Sequence, residues 1–133
     1  MGQSIINVEE GKYAIGLQVL KKDADEPSAM ANYLSQVAVV TKEQELFTLS
    51  LLLQSQQTIT GFQIENDAGE FIEAIEKKVD EEMERRYEMF HLNHLPAILK
   101  ARVQYEVEHE GTSFKGDEVL RLSFIEDSLK ELD

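Results

Sequence analysis

Apolar and polar residues alternate along much of this chain, and a period of two predicts half-buried β-strands. The first alternation runs from Gly11 to Leu20. The apolar run Val37 to Val40, a polar turn from Thr41 to Glu45 and a second alternation from Phe47 to Leu53 together predict a β-hairpin. Another strand is predicted from Ile59 to Glu65. The first half of the chain is therefore predicted to be mostly β-structure.

The C-terminal part of the chain shows the same alternation. One predicted strand runs from Val103 to His109, with apolar residues and the histidine on one face. The stretch from Gly111 to Gly116 predicts a turn, and Leu120 to Phe124 predicts the final strand. The acidic end, Glu126 to Asp133, is expected to fray.

Residues 70–90 support two interpretations. Their apolar residues recur every three or four positions, as on an amphipathic helix: Ile72, Ile75, Val79, Met83 and Tyr87. The alternative is two strands broken near Asp80 to Glu82, which the surrounding β-strands favour although nothing in the local sequence requires the break. The pattern alone leaves both interpretations open.

Seven or eight short strands in a chain of 133 residues favour an all-β fold, an antiparallel sandwich. One segment interrupts the strands. Residues 21–34 begin with polar residues and Pro27, and Ser28 is suited to cap one short helical turn. We therefore expect a single domain over residues 1–133, with an ordered core from about residue 10 to about residue 126 and one short helix.

The chain is strongly acidic. Its 13 Lys and Arg residues stand against 26 Asp and Glu residues, which gives a net charge of -13. Such a charge repels nucleic acids and anionic lipids, and it attracts cations or basic protein surfaces. Because cysteine is absent, the protein has no disulfide, thiolate metal site or thiol nucleophile.

Motifs of the common catalytic sites are missing, so we expect a protein that is not an enzyme. The sequence has no Gly-rich phosphate loop, no His-Glu-x-x-His and no Gly-x-Ser-x-Gly. The acidic clusters at 23–26 and 80–84 lack the spacing of a calcium loop, and solvated surfaces are the simpler explanation for them. The N-terminus lacks the basic and long apolar regions of a signal peptide, and no run of eighteen apolar residues occurs.

Three pieces of the chain carry a family resemblance through their order and spacing. They are the strand Tyr13 to Leu20, the Ser-x-Met-x-x-Tyr spacing at Ser28, Met30 and Tyr33, and the end from Ala101 to Phe124. Together they resemble the NEAT (near iron transporter) domain of Gram-positive iron and haem acquisition proteins. The resemblance implies an immunoglobulin-like β-sandwich, with two strands within residues 70–90.

In haem-binding members of this family, a lip helix covers one side of the haem and its Ser hydrogen-bonds a propionate. The corresponding lip here is Ser28 to Tyr33. A closing hairpin in those members carries Tyr-x-x-x-Tyr, and the first Tyr binds the iron. Aligning Leu122 and Phe124 with that hairpin places Phe114 and Glu118 at the two Tyr positions. Since Phe has no lone pair for iron, we expect haem binding to be atypical, weak or lost.

The resemblance implies a cofactor site between the lip and one face of the hairpin, formed by Ser28, Met30, Tyr33, Tyr105, Val107, Phe114 and Glu118. His109 shares that face and is a candidate iron ligand, although a solvated histidine at a strand end is the simpler explanation. A cap, a buried Met and a packed Tyr would likewise explain the lip residues. Phe114 is expected to fill the space of a haem ring and close the pocket, and Glu118 to lie at the rim.

Two other functions also fit the sequence. One is a protein-interaction module of the same fold without haem, and the other is an unrelated intracellular structural β-sandwich. By resemblance, the partner is haem or a protein of an iron-uptake system, the location is extracellular or the cell surface, and nucleic acid binding and membrane insertion are not expected. The missing signal peptide leaves a cytoplasmic location open.

Overall fold

The computed structural model describes residues 6, 8–54, 58–66 and 68–132, without the side chains of Ala29 and His109. Within these residues the chain forms one short 3₁₀ helix, Ala29–Tyr33, and nine strands. The strands are β1 (Gly11–Lys21), β2 (Val37–Glu43), β3 (Leu46–Leu53), β4 (Ile59–Glu65), β5 (Phe71–Glu73), β6 (Glu76–Asp80), β7 (Arg85–Leu92), β8 (Ile98–His109) and β9 (Thr112–Leu132).

All pairs of neighbouring strands are antiparallel, in the order β5-β4-β8-β9-β1-β2-β3-β7-β6. The sheet curls so that its two halves face each other across an apolar core. Phe62 on β4 and Phe90 on β7 meet there, with ring centroids 6.0 Å apart. Along β1 and β3 every second residue is buried, as the alternating sequence predicts. The immunoglobulin-like antiparallel β-sandwich is thus confirmed, with nine strands rather than seven or eight.

The additional strand arises within residues 70–90, which are not helical. The chain passes from one half of the sheet to the other at Ala74 and Ile75, so β5 pairs with β4 and β6 pairs with β7. The apolar side chains that suggested a helix do not form one buried stripe, because Val79 and Met83 are 52% and 58% exposed. Cross-strand pairing therefore overrides the local helical periodicity.

Two of the predicted turns are longer than the turns in the structure. The β2–β3 turn contains only Gln44 and Glu45, and the β8–β9 turn contains only Glu110 and Gly111. Gln44, Glu110 and Gly111 have positive φ angles of 55°, 51° and 79°, which fits the tight two-residue turns that join twisted strands. The prediction of a turn through residue 116 was therefore wrong, because residues 112–116 already pair with β8.

The acidic C-terminal end does not fray as expected. Strand β9 pairs with β8 through residues 112–123 and with β1 through residues 120–132. The β1–β9 register shifts between Ala14 and Gly16, and Ser128 fills this irregularity. Its Oγ accepts a hydrogen bond of 2.7 Å from the Gly16 N–H and donates one of 2.6 Å to the Ile125 carbonyl. Residues after Phe124 thus extend the sheet along β1.

Because all the strands are antiparallel, the end of β1, the lip and the tip of the β8–β9 hairpin lie at one end of the sandwich, here called the lip end. Any site built from both the lip and the hairpin must lie there.

Candidate functional site

The lip is a short helical turn fixed by its own first residue. Ser28 has the extended backbone of an N-cap, and its Oγ accepts a hydrogen bond of 3.1 Å from the Met30 N–H. The Ser28 N–H donates to the Val19 carbonyl at 2.9 Å, which ties the cap to β1. At the other end, the Tyr33 carbonyl accepts a 2.8 Å bond from the Gln54 N–H. The predicted capped turn is therefore present and is anchored at both ends.

The three lip residues have different environments. The side chain of Met30 is buried in the hydrophobic core. Tyr33 is half-buried and packs against the same core. Ser28 is buried but borders a hollow described below. Ser28 thus combines a polar group with a place beside a surface hollow.

The segment between β1 and the lip is held by Arg121 of β9. The Arg121 guanidinium donates to the Lys21 carbonyl at 3.0 Å, to the Ala24 carbonyl at 2.8 Å and to Asp25 Oδ1 at 2.7 Å. One planar side chain thus fixes three points of the segment. Sequence reasoning missed this contact, because Arg121 stands 96 residues after Asp25 and nothing local marks the pair.

The hairpin places the predicted site residues on one face. Cross-strand partners in an antiparallel sheet share a face, and the register pairs Val107 with Phe114, Tyr105 with Gly116, and Val103 with Glu118. Positions 114, 116 and 118 of β9 therefore face the same side as Tyr105 and Val107. Two positions spaced as in Tyr-x-x-x-Tyr would both point to this hairpin face.

Phe114 does not close a pocket as the sequence suggested. Phe114 is 54% exposed, because the two-residue turn carries the strand past the core and no other described strand covers the tip. Glu118 is exposed, in agreement with a place at the rim. The hairpin face therefore presents an open aromatic surface rather than a filled cavity.

Tyr105 lies flat against the neighbouring strand. A Cβ added at Gly116 would overlap the Tyr105 ring, so the absence of a side chain there makes room for the ring. The Tyr105 hydroxyl lies over Gly116 as well, within the space that this Cβ would occupy. Burial, followed by the nearby charge of Glu118, raises the pKa of the Tyr105 hydroxyl. The phenol group is therefore packed against β9.

A hollow of about 330 Å³ separates the lip from β9 and is lined by Lys21, Lys22, Ser28, Glu118 and Val119. It brings together Ser28 and Glu118, two of the predicted site residues. Sequence reasoning missed the two lysines, although they form a pair of adjacent cations at the end of β1.

The remaining candidate residues are not among those that line this hollow. Val107 lines a separate hollow of about 440 Å³ with Thr58, Glu106 and Glu108. His109 belongs to β8 and pairs with Thr112 through its backbone, and its side chain lies outside the described part of the structure.

The acidic clusters form ion pairs rather than metal sites. Asp25 contacts Arg121 at 2.7 Å, Glu26 contacts Lys21 at 3.2 Å, and Asp80 contacts Arg85 at 3.3 Å. Among the described residues, no group of three or more His, Asp or Glu side chains is arranged to hold a metal ion. In the same residues, no helix is long and apolar enough to cross a membrane.

The described donors on the hairpin face do not fit ligation of ferric haem by a phenolate. Phe114 has no lone pair to offer, and Glu118 carries a carboxylate in place of a phenol. Tyr105, the phenol on this face, packs over Gly116, and burial followed by the charge of Glu118 raises its pKa. The apolar ring of Phe114 and the cations beside Ser28 nevertheless suit other parts of a haem molecule, its planar ring and its carboxylates.

Comparisons with known proteins agree on the fold. A variant of the NEAT5 domain of IsdX2, solved in complex with heme, is 26% identical and has a TM-score of 0.78, with 89% of this chain and 97% of that chain covered. The NEAT5 domain of IsdX2, a hemophore of B. anthracis also solved with heme, is 24% identical and has a TM-score of 0.75, with 88% and 97% covered. No curated protein sequence matches.

A family model described as NEAT, the iron transport-associated domain, matches residues 7–124. This range contains the lip, the Arg121 contact and the whole hairpin face. The chain therefore belongs to the NEAT family of iron transport-associated domains, as the sequence resemblance predicted.

Proposed function

We propose that this chain is a non-catalytic binding domain of a haem or iron uptake system, in which haem binding is atypical, weak or lost. The observation that carries the proposal is the hairpin face. Positions 114 and 118 point to the side where the family resemblance places two tyrosines, and they hold Phe and Glu.

The chemistry of the two positions supports this proposal. A phenolate is a hard anionic donor that suits ferric iron, whereas a benzyl side chain donates nothing. In the family, the second Tyr hydroxyl donates a hydrogen bond to the phenolate. An ionised Glu118 can only accept hydrogen bonds, so both roles of the Tyr pair are absent at these positions.

The lip supports a relation to the haem-binding members. Ser28 Oγ accepts the Met30 N–H, and among the described residues its own hydrogen has no acceptor. The hydroxyl can therefore donate to a carboxylate in the adjoining hollow. An extracellular or cell-surface location and a partner from the same uptake system, haem or a protein, belong to the proposal through the family.

The test is a titration with ferric haem that follows the Soret band in wild type and in the double variant Phe114→Tyr, Glu118→Tyr. We expect the double variant to gain a strong band with the signature of tyrosinate ligation, because it restores both donors on one strand face. The wild type should show a weaker, shifted or absent band.

The matched control is Val79→Tyr, which adds a tyrosine at an exposed position of β6 outside the hairpin face. It should titrate as the wild type does. A wild-type band equal to that of the double variant in position and midpoint would show that the usual ligation survives, which contradicts the proposal.

A further inference from the structure

We infer that the lip end binds a porphyrin through its ring and its carboxylates without an iron ligand, so that metal-free porphyrin binds as tightly as ferric haem. This inference rests on the proposed function, because it names the ligand class of the same site. It goes further by stating that the metal contributes nothing to recognition.

The apolar part of the site is the ring of Phe114. It is 54% exposed and lies on the same face as Val107, its cross-strand partner. Tyr105 lies flat over Gly116 beside them, so the face has no tall side chain between positions 114 and 118. A flat aromatic surface suits a planar macrocycle, and stacking on it depends on the ring area rather than on the metal at its centre.

The polar part of the site is the hollow beside the lip. Lys21, Lys22 and Ser28 all line it. Lys21 is also 3.2 Å from Glu26, so Lys22 and Ser28 are the donors with the fewest competing contacts among the described lining residues. Ammonium and hydroxyl donors recognise carboxylates, which a porphyrin carries whether or not it holds iron.

Glu118, which also lines this hollow, opposes an anion there. The Tyr105 hydroxyl lies over Gly116, in the space that a Cβ would occupy, so the phenol packs against β9. The described residues thus provide contacts for the ring and the carboxylates, but no donor that is prepared for the iron.

The experiment measures the Kd of both ligands through the fluorescence of the metal-free porphyrin. Fluorescence anisotropy of metal-free protoporphyrin gives its Kd, and displacement of the bound porphyrin by ferric haem gives the second Kd at the same ionic strength. We expect the two values to agree within about threefold in the wild type, since an added axial bond would separate them by more. In Phe114→Tyr, Glu118→Tyr, haem should bind about tenfold tighter or more, with the porphyrin almost unchanged.

Two single variants locate the site. Phe114→Ala should weaken both ligands by the same factor, and Lys22→Ala should also weaken both. Val79→Ala, which truncates a similarly exposed apolar residue on β6, should weaken neither. Equal binding by Phe114→Ala and wild type would show that the ligand attaches elsewhere and would overturn the inference.

The remaining outcomes separate this inference from the proposed function. If wild type binds haem about tenfold tighter than the porphyrin or more, an iron ligand is present and the inference fails. If neither ligand binds, the inference fails while the proposed function stands, since lost haem binding is part of it. A wild-type Soret band identical to that of the double variant would remove the proposed function as well.

Discussion

Among single residues, Glu88 on β7 has the most costly environment in the described core. It is 0% exposed, and its Oε2 accepts a 2.7 Å hydrogen bond from Arg86 Nε. Arg86 Nη2 donates to the Ile59 carbonyl at 3.0 Å, which links β7 to β4 across the core. Glu88 Oε1 has no partner among the described residues. Burial raises the pKa of Glu88 although the Arg86 charge acts to lower it.

This raised pKa makes the stability depend on pH in a defined direction. A carboxyl group that holds its proton more tightly in the folded state loses its stabilising contribution as the pH rises from its ordinary value, 4.5, through the folded value. We therefore expect Glu88→Gln to become more stable relative to wild type over that rise. Urea unfolding at a series of pH values measures the difference.

The control for this experiment is Glu76→Gln, at an exposed position of the neighbouring strand β6. It leaves the buried pair intact, so its stability should follow the wild-type pH curve more closely. Parallel curves for wild type and Glu88→Gln would contradict the expectation.

The contacts of the candidate-site residues could be predicted from the sequence only in part. Alternation predicted that Tyr105 and Val107 share one side of β8, because parity is a local property. Phe114 and Glu118 were assigned by the family resemblance, since the local sequence predicted a turn through residue 116. The opposition of Tyr105 and Gly116 was not predictable, since it depends on a two-residue turn with Glu110 in a left-handed conformation. A turn of a different length would have changed the cross-strand partners.

At the level of elements, Arg121 decides how firmly the segment before the lip is held. We expect Arg121→Lys to destabilise the fold by about 1 kcal/mol, because one ammonium cannot replace a fork that bonds two carbonyls and a carboxylate. Amide hydrogen exchange of residues 21–28 should become faster, while that of β3 should change little. Mass spectrometry of peptides from the two regions measures both.

The control is Asp25→Asn, which removes the charge of a residue that is 86% exposed on its side chain. The two carbonyl contacts remain, so exchange in the segment should stay close to that of wild type. Equal acceleration in both variants would show that the exposed ion pair, rather than the carbonyl contacts, holds the segment.

Elements with a strong local signal were predicted correctly, and elements set by distant pairing were not. The capped turn at Ser28 follows from one hydroxyl and its nearby N–H groups. The composition of the acidic end predicts fraying, yet residues 130–132 pair with Lys12 to Ala14 near the other end of the chain. Residues 71–80 show a helical period and nevertheless form two strands, because β4 and β7 offer them unpaired edges.

For the whole molecule, the net charge of -13 is the dominant electrostatic property. Uncompensated acidic groups repel one another more in the compact state than in the extended chain, and salt screens this repulsion. We expect the Tm to rise by a few degrees between about 0.02 and about 0.5 M NaCl, equivalent to roughly 1 kcal/mol. Scanning calorimetry at several NaCl concentrations measures it.

A KCl series at the same ionic strengths should give the same rise, since screening depends on ionic strength rather than on the cation. A Tm that falls with salt would mean that the surface ion pairs outweigh the repulsion, contrary to this expectation.

The pairing of Lys12 with Leu132 also determines how this domain can be arranged within a larger assembly. The start of β1 and the end of β9 lie side by side, and β1 carries the chain from Lys12 to Lys21, about 30 Å, before the lip begins. Anything attached at both of these points leaves from the side opposite the lip end. A surface tether or a neighbouring domain attached at these points would therefore hold the domain at the end opposite the lip. The lip and the hairpin tip would then point away from the attachment.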